Sequence, residues 1–181
     1  MCLRKFVYAD IPPFTATGTA TDGQSLSAEA TFTFGGTLAD PTLTVVLTDK
    51  QATELDTTGN LLSALFFSIS GTPALTYESA TASTSINSSD TSLGTNVNFA
   101  SYWNYSSAPG EYSASYGVGS VGLGVPGFSG GCCAGEVAGS AGVNGKDDGF
   151  KTKNGPWADN KVTFVSICQK IPLPATLLSH M

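Results

Sequence analysis

Charge is what this chain has least of. Charged residues fill 12% of its 181 positions, about half the usual share. Basic residues are scarcer still: between Lys5 and Lys146 only Lys50 occurs, and Arg4 is the sole arginine. A nucleic-acid partner needs clustered Lys and Arg to displace counterions, so that class is excluded. The net charge of −6 also disfavours an anionic membrane surface and mainly favours solubility. Histidine is nearly missing too. His180, close to the end of the sequence, is the only one, which excludes a Ser-His-Asp triad despite the many serines. No apolar run is long enough to span a bilayer. The opening Met1-Cys-Leu-Arg-Lys-Phe-Val-Tyr8 carries basic residues without the apolar stretch a signal peptide needs.

Cysteine is sparse and oddly placed. Cys132 and Cys133 are adjacent, a spacing that seldom bridges without strain. Either could join Cys168 in a disulfide, closing a loop of roughly 35 residues worth roughly 3–4 kcal/mol. No C-x-x-C spacing exists and the only histidine is His180, so neither a zinc site nor a cofactor is expected.

What fills the vacant composition is Gly, Ser and Thr, with hydrophobic residues at 41%. Ordinary disorder needs high charge and few β-branched residues. This composition fits an all-β secreted or surface protein, with hydroxyl side chains on exposed strand faces. The length fits one domain.

The patterning agrees. Asp22-Gly23 is a hairpin signal. After it Leu26, Ala28, Ala30, Phe32 and Phe34 occupy every second position, while Ser27, Glu29, Thr31 and Thr33 take the other face. With 43–48 as partner, 15–48 reads as a three-stranded meander with one dry and one wet face. The run 61–69 reads as a short helix passing into a buried central strand. Residues 75–86 read as a strand, 87–94 as a polar loop, and 161–167 as a late strand closing the sheet. The stretch 117–149, rich in Gly and poor in large side chains, is expected to be a long irregular surface loop. The expected fold is an antiparallel β-sandwich over 14–168. Residues 1–13 are expected to be a leader remnant or vector-derived, and 169–181 a separate tail.

Few constellations carry chemistry. Glu29, Glu54, Glu78, Glu111 and Glu136 are scattered, and nothing in the sequence pairs two of them across a cleft as a glycosidase requires. Asp147 and Asp148, before Gly149, offer adjacent oxygens that a calcium loop could use; a polar turn uses the same residues. Tyr102, Trp103, Tyr105 and Tyr112 are a candidate sugar-stacking platform. The competing reading makes Trp103 and one tyrosine plugs at the end of the core. The glycines of 117–124 lack the Gly-Lys-Ser/Thr ending of a phosphate loop, so no nucleotide site is expected.

Several segments occur in an order that resembles a known family. They are Thr17-Gly-Thr-Ala-Thr21, Ala30-Thr-Phe-Thr-Phe34, Leu43-Thr-Val-Val-Leu-Thr48 and Leu65-Phe-Phe-Ser-Ile-Ser-Gly71, then a Gly-rich middle and Asn160-Lys-Val-Thr-Phe164. Ile171-Pro-Leu-Pro-Ala175 closes the series. The order is similar to that of bacterial exosortase-dependent (PEP-CTERM) surface proteins, whose sorting tail opens Val-Pro-Leu-Pro-Ala and continues into a membrane-spanning helix and a basic end. Here only the opening is present, so 169–181 reads as a truncated sorting-signal-like tail. The resemblance implies export, processing at the cell envelope and release into an extracellular matrix, with sorting machinery as a partner where the tail is whole. It supplies no catalytic residues. The expected function is therefore a secreted or surface-displayed, non-enzymatic structural or adhesion protein of a bacterial envelope or biofilm matrix. The alternatives are a polysaccharide-binding module and a self-assembling extracellular filament subunit, whose weakly charged strand edges would pair with one another.

Overall fold

The hairpin signal at Asp22-Gly23 organises the first third of the chain. The structure, a computed structural model, describes residues 11–37, 40–55, 57–70, 73–87, 89–107, 113–120, 136–141, 143 and 155–168. Strand β1 (Phe14–Thr19) runs into the turn, where the Gln24 amide donates to Asp22 Oδ1 at 2.9 Å and the Gly23 amide to the Ala20 carbonyl at 2.9 Å. Strand β2 (Ser25–Gly36) returns antiparallel, with six successive pairs from Phe14–Ala30 to Thr19–Ser25. Gly36 then turns the chain with φ +78°. A Cβ there would lie 2.2 Å from the Asp40 carbonyl oxygen, so only glycine fits. Strand β3 (Pro41–Asp49) completes the meander expected over 15–48.

The remaining strands divide between two sheets. They are β4 (Ala64–Phe67), β5 (Leu75–Ile86), β6 (Ser92–Asn98), β7 (Trp103–Ser106), β8 (Tyr116–Ser120), the two-residue β9 (Val137–Ala138) and β10 (Trp157–Cys168). One sheet has the order β1-β2-β3-β10-β5-β6, with β9 pairing β10 in parallel; the other has the order β4-β8-β7. All other strand pairs are antiparallel. The late strand lies centrally, between β3 and β5, which joins the two ends of the described domain in one sheet as expected of a sandwich.

The core forms between the sheets from alternating positions. Leu43, Val45 and Leu47 of β3 and Val162 and Phe164 of β10 meet Trp103, Tyr116 and Val118 from the smaller sheet. A second apolar cluster, Leu55, Leu61, Ile86, Ala138, Val143 and Trp157, fills one end. The fold is thus an all-β sandwich, and among the described residues it contains no α-helix.

Two expectations need correction. The Gly-rich stretch does not begin as a loop: Tyr116–Ser120 is the buried central strand of the smaller sheet. Its alternation explains this, because Tyr116 and Val118 supply the core contacts while Gly117 and Gly119 occupy the other face. Most of the rest of that stretch, 121–135, 142 and 144–149, lies outside the described residues. Within 61–69 there is no helix, and β4 is a half-buried edge strand, not a central one. Its Leu65 and Phe67 line an apolar groove. The segments 1–10 and 169–181 also lie outside the described residues.

Candidate functional site

The larger sheet outruns the smaller one. On one flank β1 and β2 extend past the edge strand β4, and their inner face is left partly open. That face follows from the period of β1 and β2: Phe14, Ala16 and Gly18 pair with Ala30, Ala28 and Leu26 and point the same way, together with Phe32 and Phe34. Leu65, Phe67 and Ile69 stand opposite, and Ile11 lies at the mouth. Phe14, Ala30, Phe32 and Phe34 on one side and Leu65, Phe67 and Ile69 on the other enclose a groove of about 460 Å³, and Ser68 and Ser70 carry the only polar side chains among its described lining residues.

An aromatic series links this groove to the core. Phe14 meets Phe32 edge-on with ring centres 5.6 Å apart, and Phe32 meets Phe67 at 5.2 Å. Phe67 continues to Tyr116 at 5.5 Å, and Tyr116 stacks on Tyr105 at 6.4 Å. These separations lie in the favourable range for aromatic pairs. At its outer end Phe14 is 60% exposed, the most exposed large hydrophobic side chain among the described residues.

A smaller cavity of about 240 Å³ continues along β1, lined by Ala16, Gly18, Leu26 and Ala28 and floored by Asp49 and Gln51. Asp49 is buried at 2% exposure. Burial pushes its carboxyl up to about 6, against a 2.9 Å hydrogen bond from the Gln51 amide that favours the ionised form. Glu136 is fully buried in the neighbouring end of the core, and burial raises its carboxyl as well. Ser120 Oγ donates to Glu136 Oε1 at 3.4 Å, and the Trp157 indole also favours the charged form. These carboxyls sit inside the packing, and no group of three or more His, Cys, Asp or Glu side chains that could hold a metal ion exists among the described residues.

The structure separates the residues singled out in the sequence. Trp103 is 1% exposed and packs on Phe164 with ring centres 4.8 Å apart, so it plugs the core and presents no face to a sugar. That takes Trp103 out of the stacking platform, because its ring is already buried against the core. Tyr102 packs half-buried against Phe99 at 5.3 Å. Tyr105 leans on Tyr116, and its buried hydroxyl has no hydrogen-bond partner among the described residues. Its ionisation is pushed up to about 12, by burial first and then by Tyr116 and Cys168. Tyr112 lies outside the described residues, as do Asp147 and Asp148 of the calcium candidate. Cys168 is buried with its thiol free, and its candidate partners Cys132 and Cys133 are likewise outside. No helix among the described residues is long and apolar enough to cross a membrane.

Sequence reasoning passed over Phe14 and the β1 edge. The signal was present in the lack of any charge from Ile11 to Thr21, but only the sheet order shows that this stretch is an edge.

No protein-family model matches the chain, and no curated protein or solved structure matches it either.

Proposed function

We propose that this chain is a secreted or surface-displayed, non-enzymatic structural protein of a bacterial envelope or matrix, and that it works by associating through its strand edges. One observation carries the reading. The outermost strands of the two described sheets are β1, β6, β4 and β7, with sequences FTATGT, SLGTNVN, ALFF and WNYS. None contains a charged residue or a proline. Proteins that must stay apart usually guard such edges with Lys, Pro or inward-pointing charge. A domain whose described outer strands carry neither charge nor proline, with an open aromatic groove beside one of them, suits a role in which copies meet. The Pro-Leu-Pro-Ala opening at 172–175 and the Thr/Ser-rich wet faces support placement outside the cell.

Protease treatment of intact cells, followed by immunoblotting of the source bacterium, tests the location. Loss of the protein from unbroken cells, or its recovery from the extracellular matrix, is the expected result. Full protection until the cytoplasmic membrane is breached would refute the reading. Light scattering of the purified chain over a concentration series tests association, and invariant monomeric mass would count against it.

A further inference from the structure

The described edges are not equivalent. Strand β6 is broken by Asn96 at φ 51° and by an irregular register beside Gly94, features that spoil a docking edge. Strands β4 and β7 are four residues long. Strand β1 is a regular run of six residues, exposed throughout, and no described strand pairs with its outer side.

Its sequence is also self-complementary. In an antiparallel pair, residues directly opposite each other lie on the same face of the sheet. Two β1 strands related by a twofold axis through Ala16 therefore set Phe14 against Gly18 of the other copy, Thr15 against Thr17, and Ala16 against itself. A Cβ built on Gly18 has no atom within 4 Å, so the space a ring would need there is open. Phe14 has most of its surface free to fill it. Aromatic rings laid over cross-strand glycines stabilise sheets in this way. Threonines facing threonines are favourable cross-strand neighbours, and the small Ala16 lets the backbones close at the axis.

From this we infer that β1 is a homodimer seam, at which a second copy of this chain adds its own β1 antiparallel, in the register Phe14–Gly18, Thr15–Thr17, Ala16–Ala16. The pairing is isologous. It makes the two larger sheets continuous and runs the two apolar grooves together across the seam. The occupant is a second copy because each half of the seam supplies what the other lacks, Phe14 at one end and the vacant Gly18 at the other. A polysaccharide finds little there, since among the described lining residues only Ser68 and Ser70 offer side-chain hydroxyls to the groove. This inference rests on the association reading above and names its surface.

Charge variants on the outer face test it without disturbing the core. Thr15 and Thr17 are exposed, and beside them in β2 lie Glu29 and Ser27. In Thr15→Lys/Thr17→Lys, lysines face each other twice across the axis. In Thr15→Lys/Thr17→Glu, lysine faces glutamate twice. Sedimentation velocity at low salt is expected to give a wild-type dimer. The double-lysine variant should weaken dimerisation by roughly tenfold or more, and the lysine–glutamate variant should restore it. Circular dichroism and thermal melts of each variant check that the protomer is folded. A misfolding effect would not be rescued by swapping the sign of residue 17. A wild-type chain that stays monomeric at high concentration overturns both the seam and the association reading. A wild-type assembly that survives the double-lysine change overturns the seam alone and leaves association through another face standing.

Discussion

Replacing Asp49 by Asn should stabilise the protein at neutral pH and leave it unchanged in acid. Asp49 ends β3 at 2% exposure, with its Oδ1 accepting the Gln51 amide at 2.9 Å. Its carboxyl rises from 3.8 in the unfolded reference to about 6, by burial. Two units at about 1.4 kcal/mol each give an upper bound of roughly 3 kcal/mol against the ionised form. Asn keeps the acceptor oxygen and removes the charge, and its amide nitrogen needs a partner in the same buried place just as the hydroxyl of the protonated carboxyl does, so the two neutral groups are comparable. The gain near pH 7 is therefore up to roughly 3 kcal/mol. The sign follows from proton binding. Between 3.8 and about 6 the native state holds more protons at Asp49 than the unfolded chain does. Wild-type stability therefore falls as pH rises through that window and levels off above it. Glu136 shifts in the same direction, so the wild-type profile contains both groups, and the difference between wild type and variant isolates Asp49. Urea unfolding of both proteins at about pH 4, 5, 6 and 7 measures that difference. It should be near zero at the acid end and grow toward neutrality. A variant less stable than wild type at neutral pH, or a difference independent of pH, would refute the reasoning.

Other substitutions probe the packing and the groove. Gly36→Ala should cost several kcal/mol or abolish folding, because the new Cβ would meet the Asp40 carbonyl at 2.2 Å; thermal melting reads this directly. Trp103→Ala removes a ring that is 1% exposed and packed on Phe164, and should cost about 3–5 kcal/mol in denaturant unfolding, with Trp103→Phe costing less. Phe14→Ser should change protomer stability by under about 1 kcal/mol, since the ring is 60% exposed, yet should weaken dimerisation measurably in sedimentation.

Much of the fold was legible because its strands are amphipathic. Leu26, Ala28, Ala30, Phe32 and Phe34 alternate against polar neighbours, and Asp22-Gly23 marks the turn, so the meander follows from period and turn chemistry. The late strand was readable from Val162 and Phe164. Strand β8 was not, since a YGVGS segment carries only two side chains of any size, and glycine statistics point to loop. Its strand character comes from the neighbours β4 and β7, which pair with it from both sides. Trp103 and its tyrosines show the limit on the site. Aromatic composition is the same for a core plug and a sugar platform, and only the partner ring, Phe164, decides between them. The groove depends on the sheets having unequal widths, a property of strand order that no local pattern encodes. Asp49 and Glu136 looked like two more scattered acids until their burial set them apart.

Amide hydrogen exchange across β1, measured at low and at high protein concentration, tests the association account most directly. Exposed edge amides exchange readily, and pairing with a second strand protects them. The account predicts that amides of Phe14–Thr19 gain protection as concentration rises, while those of the irregular β6 edge do not. Exchange in β1 that is indifferent to concentration would contradict it.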